Sequence, residues 1–285
     1  MKAGRYNVRA VDTGHFRLDG GAMFGTVPKA LWEAGNPADE RNRIDLALRA
    51  LLAEDGERRI LVDAGIGGSV FGPKETDMYA VRNVRTGAAD ALRDLGVAPE
   101  AVTDVVLTHL HFDHAGGVVS KGADGTPVLT FPNAVHWVQR RNLENAKKPN
   151  DRERASYLKQ TWQVLEDSGR LRLLDGTDAF LPEITPVLSD GHTDGMQVVR
   201  IGEGPGAVLY CADLIPLVPH VRVAYTMGYD IHAGLLIEEK RRLLDAAERA
   251  GHLLFFEHDP EVAACRLARD RDRPDRVVAG EAVPA

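Results

Sequence analysis

Residues 105–117 read VVLTHLHFDHAGG. A short apolar run, Val105, Val106 and Leu107, ends at Thr108. Four side chains able to bind metal then follow within six positions: His109, His111, Asp113 and His114. In an extended segment alternate side chains share a face, so His109 and His111 can converge on one ion where the strand leaves its sheet. Asp113 and His114 are adjacent and must lie on a turn to aim at a common point, with Gly116-Gly117 supplying the backbone latitude. The stretch reads as a two-metal site at the end of a β-strand.

Outward from this stretch, 102–108 is the strand that delivers the cluster. On its N-terminal side a helix is expected over 86–95, stopped by Gly96. Residues 44–52 alternate with period two and are followed by Asp55-Gly56 and a second run, 59–62. This pattern predicts a β-hairpin, although its Leu and Ala content would also permit a helix. Asp63-Ala64-Gly65 closes the second strand. Residues 6–18 form an opening strand. Between it and the hairpin, 20–43 is rich in Gly and Pro yet holds Met23, Phe24, Val27, Leu31 and Trp32. An ordinary solvent loop has little use for so many large apolar groups. The segment is therefore read as a flap over a pocket, with Met23, Phe24 and Trp32 lining it for an acyl chain or an aromatic leaving group. Buried packing is the competing reading.

On the C-terminal side, short strands are expected at 128–131 and 134–138. Residues 151–168, mostly charged but with Tyr157, Leu158, Trp162 and Leu165 at helical spacing, predict one helix ended by Gly169. Strands follow at 171–174, 184–188, 197–201 and 207–211, then an amphipathic helix at 235–250 and a buried strand at 253–256. The charged tail, 267–285, is expected to be peripheral. With no Ser/Pro-rich linker, 1–285 reads as a single domain, and strands and helices in runs suggest an α+β fold of packed sheets covered by helices.

Composition narrows function. A chain of 285 residues with 44% hydrophobic content can bury a sizeable core. Its net charge of −7 argues against a nucleic-acid groove, which needs a basic footprint. No stretch is long and apolar enough to span a membrane, and the start, MKAGRYNVRAVDTG, lacks the apolar core of a signal peptide. Two cysteines are too few for a disulfide framework. A cytoplasmic protein acting on a small molecule is expected, and a homodimer is compatible with the sequence.

Three more metal-capable residues each follow an expected strand: His192 in SDGHTDG, Asp213 in LYCADL and His258 in LFFEHDP. With the first four they make five histidines and two aspartates, a suitable donor set for two borderline divalent ions. Residues 108–117 resemble the HxHxDH signature of the metallo-β-lactamase superfamily, and the family's remaining ligand motifs match in order at His192, Asp213 and His258. The resemblance runs from about residue 63 to 259 and implies a four-layer αββα sandwich with the site along one edge of its two sheets.

Carried over residue by residue, the resemblance implies one metal held by His109, His111 and His192 and another by Asp113, His114 and His258. Asp213 and a water or hydroxide would bridge them. Zn2+ is the expected ion, with Mn2+, Fe2+ or Co2+ as alternatives. Two divalent ions lower the pKa of water from 15.7 to about 7 and polarise a carbonyl or phosphoryl oxygen. Hydrolysis of a lactone or carboxylic ester is the expected reaction, with Asp113 and Asp213 as its catalytic carboxylates and Asp113 steering the nucleophile or a proton. Asp63 could orient a ligand histidine or be a simple turn residue.

Among subfamilies, the flavodiiron reductases place Glu where this chain has His111, which argues against redox chemistry. True β-lactamases of this fold usually lack Asp213. The HLHFDHAGG string, the N-terminal flap and GHTDGMQ most resemble quorum-signal lactonases and methyl-parathion-hydrolase-like enzymes. The lactonases carry a Tyr three residues after the bridging Asp. Here that position is Pro216; His220, Tyr225 or Tyr229 in the following segment could supply a substitute donor, with a purely structural loop as the competing reading. The alternatives are a phosphotriesterase and, from another class, a metal-binding or ligand-sensing protein without turnover. His136, beside Trp137, is expected in the core, as is Cys211.

Overall fold

Alternation along the central strands decides the layering. In the strand Arg59–Val62, Ile60 and Val62 enter one apolar cluster while Leu61 enters another. In Asp104–Val106, Val106 and Val105 divide the same way, as do Leu51 and Leu52 of Arg43–Glu54. A strand with both faces apolar needs cover on both sides. The computed structural model describes residues 1–68, 70–84, 87–273 and 275–284.

Among these residues one sheet has seven strands, in the order Lys2–Ala3, Tyr6–Asp19, Arg43–Glu54, Arg59–Val62, Asp104–Val106, Val135–Gln139 and Leu171–Leu174. A second has six: Ile184–Ser189, Met196–Ile201, Val208–Tyr210, Leu253–Phe255, Ala264–Arg269 and Val277–Val283. The sheets share one apolar core, in which Val8, Leu51 and Val62 meet Val198, Tyr210 and Phe255. Leu236, Leu243, Leu244 and Ala247 of the helix Ala233–Ala250 cover the six-stranded sheet. The helices Ala88–Asp94, Arg140–Lys147 and Lys159–Asp167 cover the outer face of the other through Leu92, Leu143 and Leu165. This is the expected α+β sandwich of four layers, αββα.

The expected hairpin forms: Glu54 pairs with Arg59, and the Asp55 carboxylate accepts from the Glu57 and Arg58 amides to close the turn. In both sheets the next strand pairing is parallel, Arg59–Val62 with Asp104–Val106 and Val208–Tyr210 with Leu253–Phe255. Parallel neighbours present their C-terminal ends at the same rim, which gathers Asp63, the 108–114 segment, Asp213 and His258 there.

Four expectations change. Residues 151–168 are not one helix: a 3-10 turn, Arg154–Ser156, precedes a helix confined to Lys159–Asp167. The Asn150 carboxamide oxygen accepts from the Arg152 and Glu153 amides, and a polar network draws Glu153 and Tyr157 inward. Within 20–43, short helices at Gly20–Phe24 and Lys29–Trp32 bury Met23, Phe24 and Trp32, so buried packing prevails over a flap lined by all three. The tail, expected to be peripheral, holds the edge strand Val277–Val283, which pairs with Ala264–Arg269 and buries only Val277. The strand expected at 128–131 is Pro127–Leu129, in a separate ribbon with Val119–Lys121. The helix expected over 86–95 begins at Ala88, and Thr86 lies outside the described residues.

Candidate metal centre

The strand Asp104–Val106 ends and the chain runs through Thr108 and His109 to His111, which precedes the one-turn helix Phe112–Ala115. Asp113 and His114 share this helix, so a helical turn rather than an open loop aims them. The glycines behind it act by close approach. An added Cβ would lie 2.2 Å from the Ile66 carbonyl oxygen at Gly116 and 2.0 Å from that of Ala64 at Gly117. Hydrogen bonds from Ala64 N to His114 O (2.8 Å) and from Gly117 N to Gly65 O (2.8 Å) lock helix and loop together. The expected role of these glycines as sources of backbone latitude is therefore corrected.

All seven expected donors meet at the rim, and all are buried. One donor atom each from His109, His111, His192 and Asp213 lie within 4.8 Å of one another, and Asp113, His114 and His258 form a second such group. Asp213 stands between the groups. Its Oδ2 is 3.1 Å from His192 Nε2 and 3.4 Å from His114 Nε2, and its Oδ1 is 3.3 Å from His258 Nε2.

The backs of the imidazoles decide which nitrogens face inward. His114 Nδ1 is 2.7 Å from Glu257 Oε2 and 3.0 Å from Asp63 Oδ2. His192 Nδ1 donates to Asp230 Oδ1 (2.9 Å) and His258 Nδ1 to the Ala47 carbonyl (2.9 Å). His109 Nδ1 lies 3.1 Å from Thr108 Oγ1, whose hydroxyl donates to Asp63 Oδ2. Each of these four rings thereby keeps its Nε2 lone pair for the centre. His111 is reversed, with Nδ1 inward, 3.2 Å from His192 Nε2.

The electrostatics match an anionic cradle. Burial lowers the pKa of the His192 imidazole, but the Asp213 and Asp230 carboxylates outweigh it and raise it to about 10. Burial likewise opposes, and Glu257 and Asp213 overcome it, in lifting His258 to about 9. Asp213 resists its own burial and stays well below the carboxylate range because His192 and His114 face it. Burial pushes Glu257 up to about 7. Groups that compete this strongly for protons are suited to bind divalent cations in their place.

The residues fit a metal pair on a further count. Among the described residues His109 Nε2 and Asp213 Oδ1 find no hydrogen-bond partner although both are buried, an arrangement that is costly unless a cation satisfies them.

A cavity of about 250 Å³ opens over the centre, floored by His111, Asp113, His192, Asp213 and His258 and walled by Leu18, Met23, Tyr79, Phe112, Met227 and Tyr229. Of the residues suggested for substrate contact, Met23 and Tyr229 line it. Phe24 and Trp32 do not: they stack on each other with centroids 5.3 Å apart, beneath the wall. His220 is fully buried, its Nε2 donating to the Met23 carbonyl (2.9 Å). Tyr225 turns its hydroxyl outward to accept from Arg222. His220 and Tyr225 are thus set aside as donors. Asp63, with Oδ1 accepting from Thr108 N (2.8 Å), holds His114 from behind. His136 and Cys211 lie in the core as expected.

Sequence reasoning missed Thr108, Asp230, Glu257 and Glu153. Asp230, Glu257 and Glu153 each neighbour an imidazole distant in sequence, whereas Thr108 lies beside His109 in the chain.

A family model described as the metallo-beta-lactamase superfamily matches residues 49–258. The N-acyl homoserine lactonase AttM of Azorhizobium caulinodans is 29% identical over 187 residues, a match that covers 61% of this chain and 65% of that protein. The N-acyl homoserine lactonase AiiA of Bacillus thuringiensis subsp. kurstaki is 26% identical, with 79% of this chain and 86% of the relative covered. Among solved structures, a probable metal-dependent hydrolase from Staphylococcus aureus superposes with a TM-score of 0.86 at 26% identity, covering 99% of this chain and all of that one. AidC, described as a dizinc quorum-quenching lactonase, shares the fold with a TM-score of 0.78 at 19% identity, covering 100% of this chain and 96% of that chain.

Proposed function

Because the chain belongs to the metallo-β-lactamase superfamily and is a metal-dependent hydrolase, we propose that it is a binuclear enzyme that opens a lactone or cleaves a carboxylic ester. The observation that carries this reading is the Asp213 carboxylate, poised between two groups of inward-facing donors on the floor of a mostly apolar cavity. His109, His111 and His192 would hold one divalent ion, Asp113, His114 and His258 the other, and Asp213 both. Such a pair would supply a water acidified to a pKa near 7 and a Lewis acid for the carbonyl oxygen.

The chain's own residues do the rest. Leu18, Met23, Phe112 and Met227 take up the apolar part of the substrate and exclude water from the floor. The Asp113 carboxylate, at the cavity floor, holds the proton lost by the attacking water and returns it to the leaving alkoxide. Tyr229 faces the same cavity while staying partly exposed, and like any phenol it carries its proton at neutral pH and can donate it. Its hydroxyl takes the place of the tyrosine expected at Pro216 and donates to the substrate carbonyl.

Elemental analysis, together with hydrolysis assays on a lactone series, simple esters and a phosphotriester, tests this. Two metals per chain, lactone or ester turnover abolished by chelation, and none in His114→Ala are expected. A chain that binds fewer than two ions and hydrolyses nothing after reconstitution would sink the proposal. Preference for the phosphotriester would move the substrate class.

A further inference from the structure

Four imidazoles at the centre have their outer nitrogen committed to a buried acceptor; His111 alone has its Nδ1 inward and Nε2 outward. That Nε2 is buried and makes no hydrogen bond among the described residues, and Glu153 Oε2 is 3.9 Å away. Glu153 is itself buried, inside a run of charged residues that would otherwise face solvent. Three donors orient its carboxylate: Thr193 Oγ1 to Oε2 (2.6 Å), and Asn145 Nδ2 (3.0 Å) and Asn150 Nδ2 (2.7 Å) to Oε1. Tyr157 completes the arrangement, its ring edge-on to His111 with centroids 4.7 Å apart and its hydroxyl 2.7 Å from Thr193 Oγ1.

We propose that Glu153 is the positioning residue of the ion held by His109, His111 and His192, fixing His111 as the Nε2–H tautomer with its Nδ1 free to bind. This rests on the metal assignment proposed above. A neutral imidazole carries one ring proton. With Nδ1 committed to an ion that proton sits on Nε2, and Glu153 Oε2 is the carboxylate oxygen placed to receive it. On this assignment the 3.9 Å gap shortens to hydrogen-bond length once the ion is bound, as such contacts tighten when a site fills. Through Thr193 the same carboxylate braces the residue next to His192. One group therefore supports two of the three imidazoles of one ion and neither imidazole of the other.

The test titrates metal-free wild type, Glu153→Ala and Glu153→Gln with Co2+ and Zn2+ against a chelator, reading two dissociation constants and the Co2+ visible spectrum. Proton NMR of the Zn2+-loaded proteins follows the exchangeable imidazole N–H signals. Glu153→Ala should weaken one constant roughly 10–100-fold while the other stays within about threefold. It should also alter one N–H signal, and Glu153→Gln, which keeps an acceptor oxygen, should recover part of the loss. Both constants unchanged in Glu153→Ala would overturn the proposal. So would an equal weakening of both with a lowered melting temperature, the mark of a merely structural role. A wild type that binds one ion would refute the binuclear reading; Glu153 would still be judged by whether that ion's constant moves.

Discussion

Gly117→Ala separates two physical roles for the glycine pair behind the helix that carries Asp113 and His114. Gly117 does not lie in the left-handed region, so alanine meets no backbone penalty there. What it meets is the loop 63–67: the new Cβ would sit 2.0 Å from the Ala64 carbonyl oxygen and 2.9 Å from its carbon, far inside ordinary contact. Neither neighbour is a flexible side-chain tip. Both belong to backbone pinned by the Ala64–His114 and Gly117–Gly65 hydrogen bonds. Overpacking a rigid contact costs typically 1–3 kcal/mol, and backbone on both sides puts this case near about 3 kcal/mol. At roughly 2–4 °C per kcal/mol, the melting temperature should fall by about 6–12 °C. The helix bearing Asp113 and His114 must also shift away from Asp63, so metal affinity should fall with it. Thermal denaturation followed by circular dichroism, with and without added Zn2+, measures both. Gly35→Ala is the control, since nothing lies within 4 Å of its added Cβ and it should melt within about 1 °C of wild type. If Gly117→Ala melts within 2 °C of wild type and binds metal normally, the close-approach argument is refuted.

Three further outcomes follow from the cavity wall and its support. Phe24→Ala should cost about 3–5 kcal/mol in denaturant unfolding by emptying the stack on Trp32, yet leave KM nearly unchanged; a raised KM with normal stability would return Phe24 to the pocket. Tyr229→Phe should lower kcat by roughly 10²-fold with no change in melting temperature, and a kcat within twofold of wild type would remove Tyr229 as the carbonyl donor. Burial holds the Lys240 amine down to about 8 from an ordinary 10.5. Between those values the unfolded chain binds the extra proton, so stability should rise with pH across that window. Lys240→Met, which removes the donor to the Tyr225 carbonyl, should flatten the rise; equal pH slopes for the two proteins would count against the depressed amine.

The fold and the inward-facing donors could be read from the chain because their signals are local. Period-two alternation in 44–52 needs only its own residues, and the His109, His111, Asp113 and His114 spacing carries its meaning within one turn of chain. His192, Asp213 and His258 could be read only as residues just past strands, which is enough because the strands of Asp213 and His258 are parallel neighbours and that of His192, two antiparallel pairings away, runs the same way to the same rim. Phe24 and Trp32 were misplaced for a physical reason: an apolar side chain near a cavity and one beneath its wall have the same composition, and only the stack distinguishes them. The helix expected from residue 151 failed because helical periodicity weighs hydrophobic spacing, whereas Glu153 is turned inward by hydrogen bonds to Asn145, Asn150 and Thr193.

The acceptors behind the imidazoles are the hardest to foresee. Asp230 and Asp63 at least carry carboxylates, but their partners His192 and His114 lie 38 and 51 residues away. For His258 the acceptor is the backbone carbonyl of Ala47, 211 residues distant. Every residue has such a carbonyl, so no side chain at position 47 could announce it. Composition and spacing can therefore name the groups whose donors converge. The proton positions that leave their inward nitrogens free depend on which backbone and side-chain oxygens the sheet order brings behind them.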